Sequence, residues 1–265
     1  MVKLTGEQTN MTREAQHKLC NLCEKMTQAG YEAFKINRIR ELIDVLHKNH
    51  IQGINKFIQK LSHRIADKEA YMDIFVEGQF AVTLAKNKFS EIKLEWSSQG
   101  PDIEAVYNRQ TICFEVRRRR PAEDEWSDSF EPNHVKPDCS QRIVSKIQDK
   151  LKQLQDGSIN IVVFWSSTMK VMSGEMTIAY SNIQHEIDKD PERYHKLSGI
   201  LFTEMEGYDL HSLKQYYLFR NSSALRPISF RLAKKLEYLH SNRKEARKVK
   251  RRLEATFKRL HVTGI

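Results

Sequence analysis

INIVVFW (159–165) constrains the fold more than any other segment. It holds the longest unbroken apolar run of the chain, Ile161 to Trp165, and is rich in β-branched residues. A short apolar run without polar alternation predicts a strand buried on both faces, which needs packing layers above and below a sheet. The run is far shorter than the roughly 20 apolar residues that span a bilayer.

The elements around this strand follow from the period of the hydrophobic pattern. Residues 12–70 read as three helices, with apolar stripes Leu19, Leu22, Cys23, Met26, then Ile36, Ile39, Leu42, Ile43, Leu46, then Ile54, Phe57, Ile58, Leu61, Ile65. Gly30 and Gly53 punctuate them. A further helix is expected at about 69–87, with Met72, Val76, Phe80 and Leu84 facing inward and Glu77 one step off that stripe. The period then becomes two. SEIKLEW (90–96) alternates as a half-buried strand, and IEAVY (103–107) and TICFEVRR (111–118) flank NRQ (108–110) as a hairpin. In the second hairpin strand Ile112, Phe114 and Val116 face one way, and Cys113, Glu115 and Arg117 the other.

Residues 121–138 hold six acids and one Lys and read as a polar loop. A helix at about 139–155, capped by Asp138 or Ser140 and ended by DGS (156–158), precedes the buried strand. Fainter signals suggest a strand TIAYS (177–181), a short helix near 182–195, and strands SGILFTEM (198–205) and KQYYLF (214–219). From about Ser229 a long basic amphipathic helix is expected.

Charge is uneven. The net charge is +10, and residues 231–265 supply +9 of it, from twelve Lys/Arg against three Glu. Dense cation runs without matching acids meet polyanions, so nucleic acid is the expected partner. A membrane surface is not expected, because the apolar face of that helix lacks Trp and is needed for packing. The N-terminal MVKLTGEQTNMTREAQ has no apolar segment of the signal-peptide kind. Cys20, Cys23, Cys113 and Cys139 do not make a disulfide framework, so an intracellular, cytoplasmic setting is expected. Cys20-x-x-Cys23 and the His47/His50 pair lack the further ligands of a zinc site and read as packing and as a solvated helix end.

One set of residues carries chemistry. A helix with Glu77, a strand, a strand opening with Pro101–Asp102, a strand with Glu115-Val116-Arg117, a helix and a buried strand follow in order. The hairpin can bring Asp102 and Glu115 to one point, and Glu115 and Arg117 leave the same strand face. Two carboxylates suit a magnesium ion that keeps several waters, and an adjacent cation can steady phosphate charge. The plain alternative is an Asp102 that starts a turn beside a solvated Glu115–Arg117 ion pair.

In this order the chain resembles the PD-(D/E)xK nuclease superfamily over about residues 70–167, and more weakly over 218–227. GPDIEAVYNRQTICFEVRR is the most specific part, and bacterial proteins of uncharacterised function carry a similar GPD…EV pattern. The resemblance implies an α/β fold: a restriction-endonuclease-like mixed central sheet flanked by helices, spanning residues 69–228. A helical N-terminal region (1–68) and a basic C-terminal helix (229–265) complete the organisation. It further implies a metal-dependent nuclease acting on nucleic acid, DNA ahead of RNA, with Mg2+ or Mn2+ as cofactor. Asp102, Glu115 and Glu77 would ligate the metal, and Arg117 would hold phosphate charge where the family usually has Lys. Arg118, Arg119, Arg120 and Lys146 would contact nucleic acid, as would Arg243, Lys244, Arg247, Lys248, Arg251 and Arg252 of the tail. The family often places a polar residue on the helix after the motif strand, for which Gln141 and Lys146 are the candidates. The rival expectation is a catalytically inactive nucleic-acid-binding or complex-scaffolding protein that keeps the nuclease fold. A protein partner for residues 1–68 and a homodimer are both compatible with this organisation.

Overall fold

A computed structural model describes residues 11–94, 100–118, 139–166, 173–205 and 213–239. Four helices come first: α1 (Arg13–Gln28), α2 (Ala33–Lys48), α3 (Ile54–His63) and α4 (Lys68–Lys86). Thr12 caps α1 by accepting from the Ala15 N–H, and Asp67 caps α4 by accepting from Glu69 and Ala70. Strands β1 (Ser90–Leu94), β2 (Ile103–Tyr107) and β3 (Gln110–Arg118) follow as an antiparallel meander. The β2–β3 turn is the two residues Asn108 and Arg109, both at positive φ (49° and 63°), as a tight hairpin turn requires.

Helix α5 (Cys139–Lys150) and a 3-10 turn at Leu151–Gln153 lead to β4 (Ile159–Ser166), which lies parallel to β3. Helices α6 (Ser173–Lys189) and α7 (Pro191–Tyr194) lead to β5 (Leu197–Met205), parallel to β4. Strand β6 (Leu213–Arg220) closes the sheet antiparallel to β5, and α8 (Phe230–Glu237) packs afterwards. The six strands lie in sequence order in one mixed sheet.

The sheet is covered on both sides, as the apolar run of β4 demands. Ile159, Ile161, Val163 and Trp165 join a core with α1–α4 and α8. Val162 and Phe164 join a second core with Ile143 and Ile147 of α5, Ala179, Ile183 and Ile187 of α6, and Tyr194. The N-terminal helices share the first core with the sheet, in one apolar cluster that runs from Met11 to Leu239. Gln52 also ties them to the sheet edge: its N–H donates to Ile92 O at 2.9 Å and its carbonyl accepts from Leu94 N–H at 3.0 Å. Next to it Gly53 sits at φ 84°, and a Cβ there would stand 2.0 Å from Leu94 O, so only glycine fits this crossing.

Two expectations change. TIAYS is not a strand but the middle of α6, where Ala179, Ile183 and Ile187 are buried at helical spacing. The short helix near 182–195 is the second half of α6 plus the single turn α7. Also, α8 begins after Ser229 as expected, with the Ser229 hydroxyl accepting from Leu232 N–H, but it ends at Glu237. The helix expected from Ser229 is thus interrupted at Tyr238, and residues 240–265 lie outside the described residues. So do Trp96 and the acidic segment 121–138.

Candidate functional site

The site is built where α4 crosses the sheet beside the start of β2. Helix α4 is buried along nearly its whole length, from Tyr71 to Leu84. It can lie close to α2 and α3 because residue 78 is glycine: a Cβ there would come within 2.6 Å of the Phe57 ring and 3.1 Å of Leu42. This close approach carries Glu77 inward, beyond the edge of the stripe expected from the sequence, to 2% exposure. It also brings Lys60 of α3 onto Glu77, with Nζ donating to Oε1 at 3.2 Å and to Oε2 at 3.0 Å.

Asp102 immediately precedes β2. Its Oδ2 accepts from the backbone N–H of Val116 at 2.8 Å, which extends the β2–β3 ladder by a side chain. Since Ile103 pairs with Phe114, this places Asp102 beside Glu115. The Asp102 carboxyl is near enough to influence the ionisation of Glu115. Glu115, mid-strand in β3, is 2% exposed. Lys150, at the last position of α5 and itself buried, holds its Nζ 2.8 Å from Glu115 Oε2. Neither Glu115 oxygen receives a hydrogen bond of good geometry among the described residues.

The electrostatics reflect this crowding. Burial, then the charge of Asp102, push Glu77 up to about 8, against the pull of Lys60 and Arg117. Burial and Asp102 likewise push Glu115 up to about 8, with Arg117 and Lys60 opposing. The ammonium of Lys150, the nearest cation, also favours the ionised form of Glu115. For both carboxyls the ion-pair contacts are those of an ionised acid, whereas burial favours the neutral one. Desolvation is the larger influence on Glu77, which we place above the ordinary carboxylate range; at Glu115 the buried Lys150 ammonium at 2.8 Å opposes it.

Of the residues singled out in the sequence, Glu77, Asp102, Glu115 and Arg117 thus lie within electrostatic reach of one another. Arg117 is half-buried, donates to Val116 O at 3.3 Å, and makes no ion pair among the described residues. Arg118 is placed differently from expectation. Its side chain is 5% exposed, and it binds Asp73 at 2.9 Å and Glu69, which staples β3 to α4 and leaves it unavailable to phosphate. Lys146 and Gln141 are exposed on α5. Arg119, Arg120, Arg243, Lys244, Arg247, Lys248, Arg251 and Arg252 lie outside the described residues.

The fit to a divalent ion is partial. Asp102 and Glu115 are adjacent, and Glu115 carries two buried oxygens without hydrogen bonds, as a small, hard cation would require, but Lys150 Nζ already stands 2.8 Å from one of them. Glu77 does not complete the set, because Lys60 engages both of its oxygens. Among the described residues no group of three or more His, Cys, Asp or Glu side chains is placed to hold a metal. Two carboxylates with water filling the remaining positions is the arrangement that magnesium accepts.

Sequence reasoning missed Lys60 and Lys150. Each sits on the apolar face of its helix: Lys150 three residues after Ile147 and seven after Ile143, Lys60 three after Phe57. A lysine in a buried stripe requires an acid partner, and that was the available signal. Cys23 is buried and its Sγ accepts from Arg40 Nε at 3.3 Å, while Cys20 is exposed, in line with packing rather than zinc binding. No helix among the described residues is long and apolar enough to cross a membrane. No family model matches this chain, and no curated protein matches it.

Proposed function

We propose that this protein is a metal-dependent nuclease that hydrolyses phosphodiester bonds in nucleic acid, DNA ahead of RNA, on a restriction-endonuclease-like core. The observation that carries the reading is the Asp102–Glu115 pair: a carboxyl at the start of β2 set beside one in the middle of β3, the latter with both oxygens buried and lacking hydrogen bonds. The element order α4–β1–β2–β3–α5–β4, with a meander followed by a parallel strand, supports it. Asp102 and Glu115 would hold Mg2+ or Mn2+, which supplies Lewis acidity toward a phosphoryl oxygen and a bound water of lowered pKa. Arg117 would grip a phosphate oxygen and stays protonated, which suits it to charge stabilisation and not to proton transfer. The cationic tail would supply sequence-independent affinity.

The charge balance of the site favours a second reading. Glu77 and Glu115 already face Lys60 and Lys150, so two acids of the cluster have cations of the protein against them. A protein that keeps the fold and binds nucleic acid without cutting it would look the same, and Arg in the usual Lys position agrees with that. Incubation with labelled single- and double-stranded DNA and RNA, with magnesium or with EDTA, separates the two. The nuclease reading expects magnesium-dependent cleavage that Glu115→Ala abolishes while circular dichroism shows a retained fold. Cleavage that survives in both Glu115→Ala and Asp102→Ala would remove these residues from the site. Binding without cleavage under every condition would establish the second reading.

A further inference from the structure

Lys150 is the least expected member of the site. It ends α5 on the face of the sheet opposite α4, and a buried lysine there would be unfavourable unless paired. Its ammonium has two neighbours. One is Glu115 Oε2 at 2.8 Å, in an ion pair without a well-aligned hydrogen bond. The other is the side-chain oxygen of Gln153, in the 3-10 turn that follows, to which it does donate a hydrogen bond. The hydrogen bond thus holds the ammonium to its own helix end, and only charge holds it to Glu115. A lysine has a flexible four-carbon stem, so this head group can withdraw from Glu115 without leaving Gln153.

We propose that Lys150 is a built-in counter-ion that occupies Glu115 in the metal-free protein and is displaced from it when a divalent cation binds. The inference rests on the metal-site reading of Asp102 and Glu115 and adds its regulation. Without a metal, the buried Glu115 carboxylate beside Asp102 needs a cation, and the fold provides one. A divalent ion must then compete with that cation for Glu115, so Lys150 weakens metal binding while it stabilises the empty site. Metal affinity is set by this exchange as well as by the ligands.

The test is Mn2+ binding to the full-length protein, followed by electron paramagnetic resonance of the free ion, with thermal unfolding measured in parallel. Lys150→Met removes the charge and keeps the stem, and Lys150→Gln keeps a hydrogen-bond donor should the first variant fold poorly. Both should bind Mn2+ about tenfold or more tightly than the natural protein, by removal of a cation at contact distance. Both should also unfold at lower temperature without Mn2+ and regain more on its addition. Affinity that is equal or weaker in both variants overturns the proposal, and leaves the metal site intact provided that Asp102→Asn and Glu115→Gln lose Mn2+. If Mn2+ binding is indifferent to Asp102→Asn and Glu115→Gln, or is absent throughout, the metal-site reading fails and the inference fails with it.

Discussion

Replacing Glu77 by Gln removes one ionisable group from the middle of α4 and keeps a carbonyl oxygen for Lys60. The consequence is a changed dependence of stability on pH. In the unfolded chain this carboxyl titrates near 4.5, and in the fold near 8, chiefly because it is buried. Between those values the folded protein holds a proton that the unfolded chain has released, so stability falls as pH rises. The contribution is fully present below about pH 4.5 and lost above about pH 8. At about 1.4 kcal/mol for each pKa unit the whole window amounts to about 5 kcal/mol, and the slope inside it to about 1.4 kcal/mol per pH unit.

Urea unfolding at constant ionic strength, from about pH 5.5 to about pH 7.5, should show Glu77→Gln losing about 3 kcal/mol less than the natural protein. Parallel profiles for the two proteins would refute the reasoning. They would mean that Glu77 stays ionised throughout, and that the Lys60 contacts at 3.0 and 3.2 Å outweigh desolvation.

Other outcomes follow from neighbouring features. Arg117→Ala should lower magnesium-dependent cleavage by about a hundredfold, as loss of one charge-stabilising donor does, while Arg117→Lys maintains or raises it; equal rates for Arg117→Ala and the natural protein at saturating metal would show that the side chain has no catalytic role. Gly78→Ala should destabilise the fold by about 1–3 kcal/mol in urea unfolding, because the added methyl meets Phe57 and Leu42. An unchanged midpoint would mean that the Phe57 ring gives way freely. If about six tail cations meet phosphates, affinity for DNA should fall about a thousandfold between 50 and 200 mM salt. A folded truncation before Ser229 should flatten that dependence, and an unchanged slope would assign binding to the remaining chain.

The sheet was legible because burial on two faces leaves an unmistakable pattern. INIVVFW divides between the two cores residue by residue, and the alternation of β3 separates Ile112, Phe114 and Val116 from Cys113 and Glu115. TIAYS was misread because Thr177 and Ile178 are β-branched and a five-residue window cannot distinguish period two from the start of a longer helix. The stripe Ala179, Ile183, Ile187 needed the whole of α6 to emerge. The carboxylates could be found because a hairpin and a two-residue spacing fix positions locally.

The lysines could not be found in that way. Lys60 is 17 residues from Glu77, and Lys150 is 35 from Glu115, each on another element, so their partners are decided only by how helices dock. That docking depends on details such as the missing Cβ of Gly78, which lets α3 approach α4. The same circumstance explains why motif residues alone do not define the chemistry here. Asp102 and Glu115 could each be read from the sequence, but whether they face water, a metal or an internal cation is set by α3 and α5. Two lysines delivered by those helices pair with Glu77 and Glu115. Any divalent ion must therefore bind in competition with the protein's own charges, and the affinity of the site is a property of the helix packing around it as much as of its ligands.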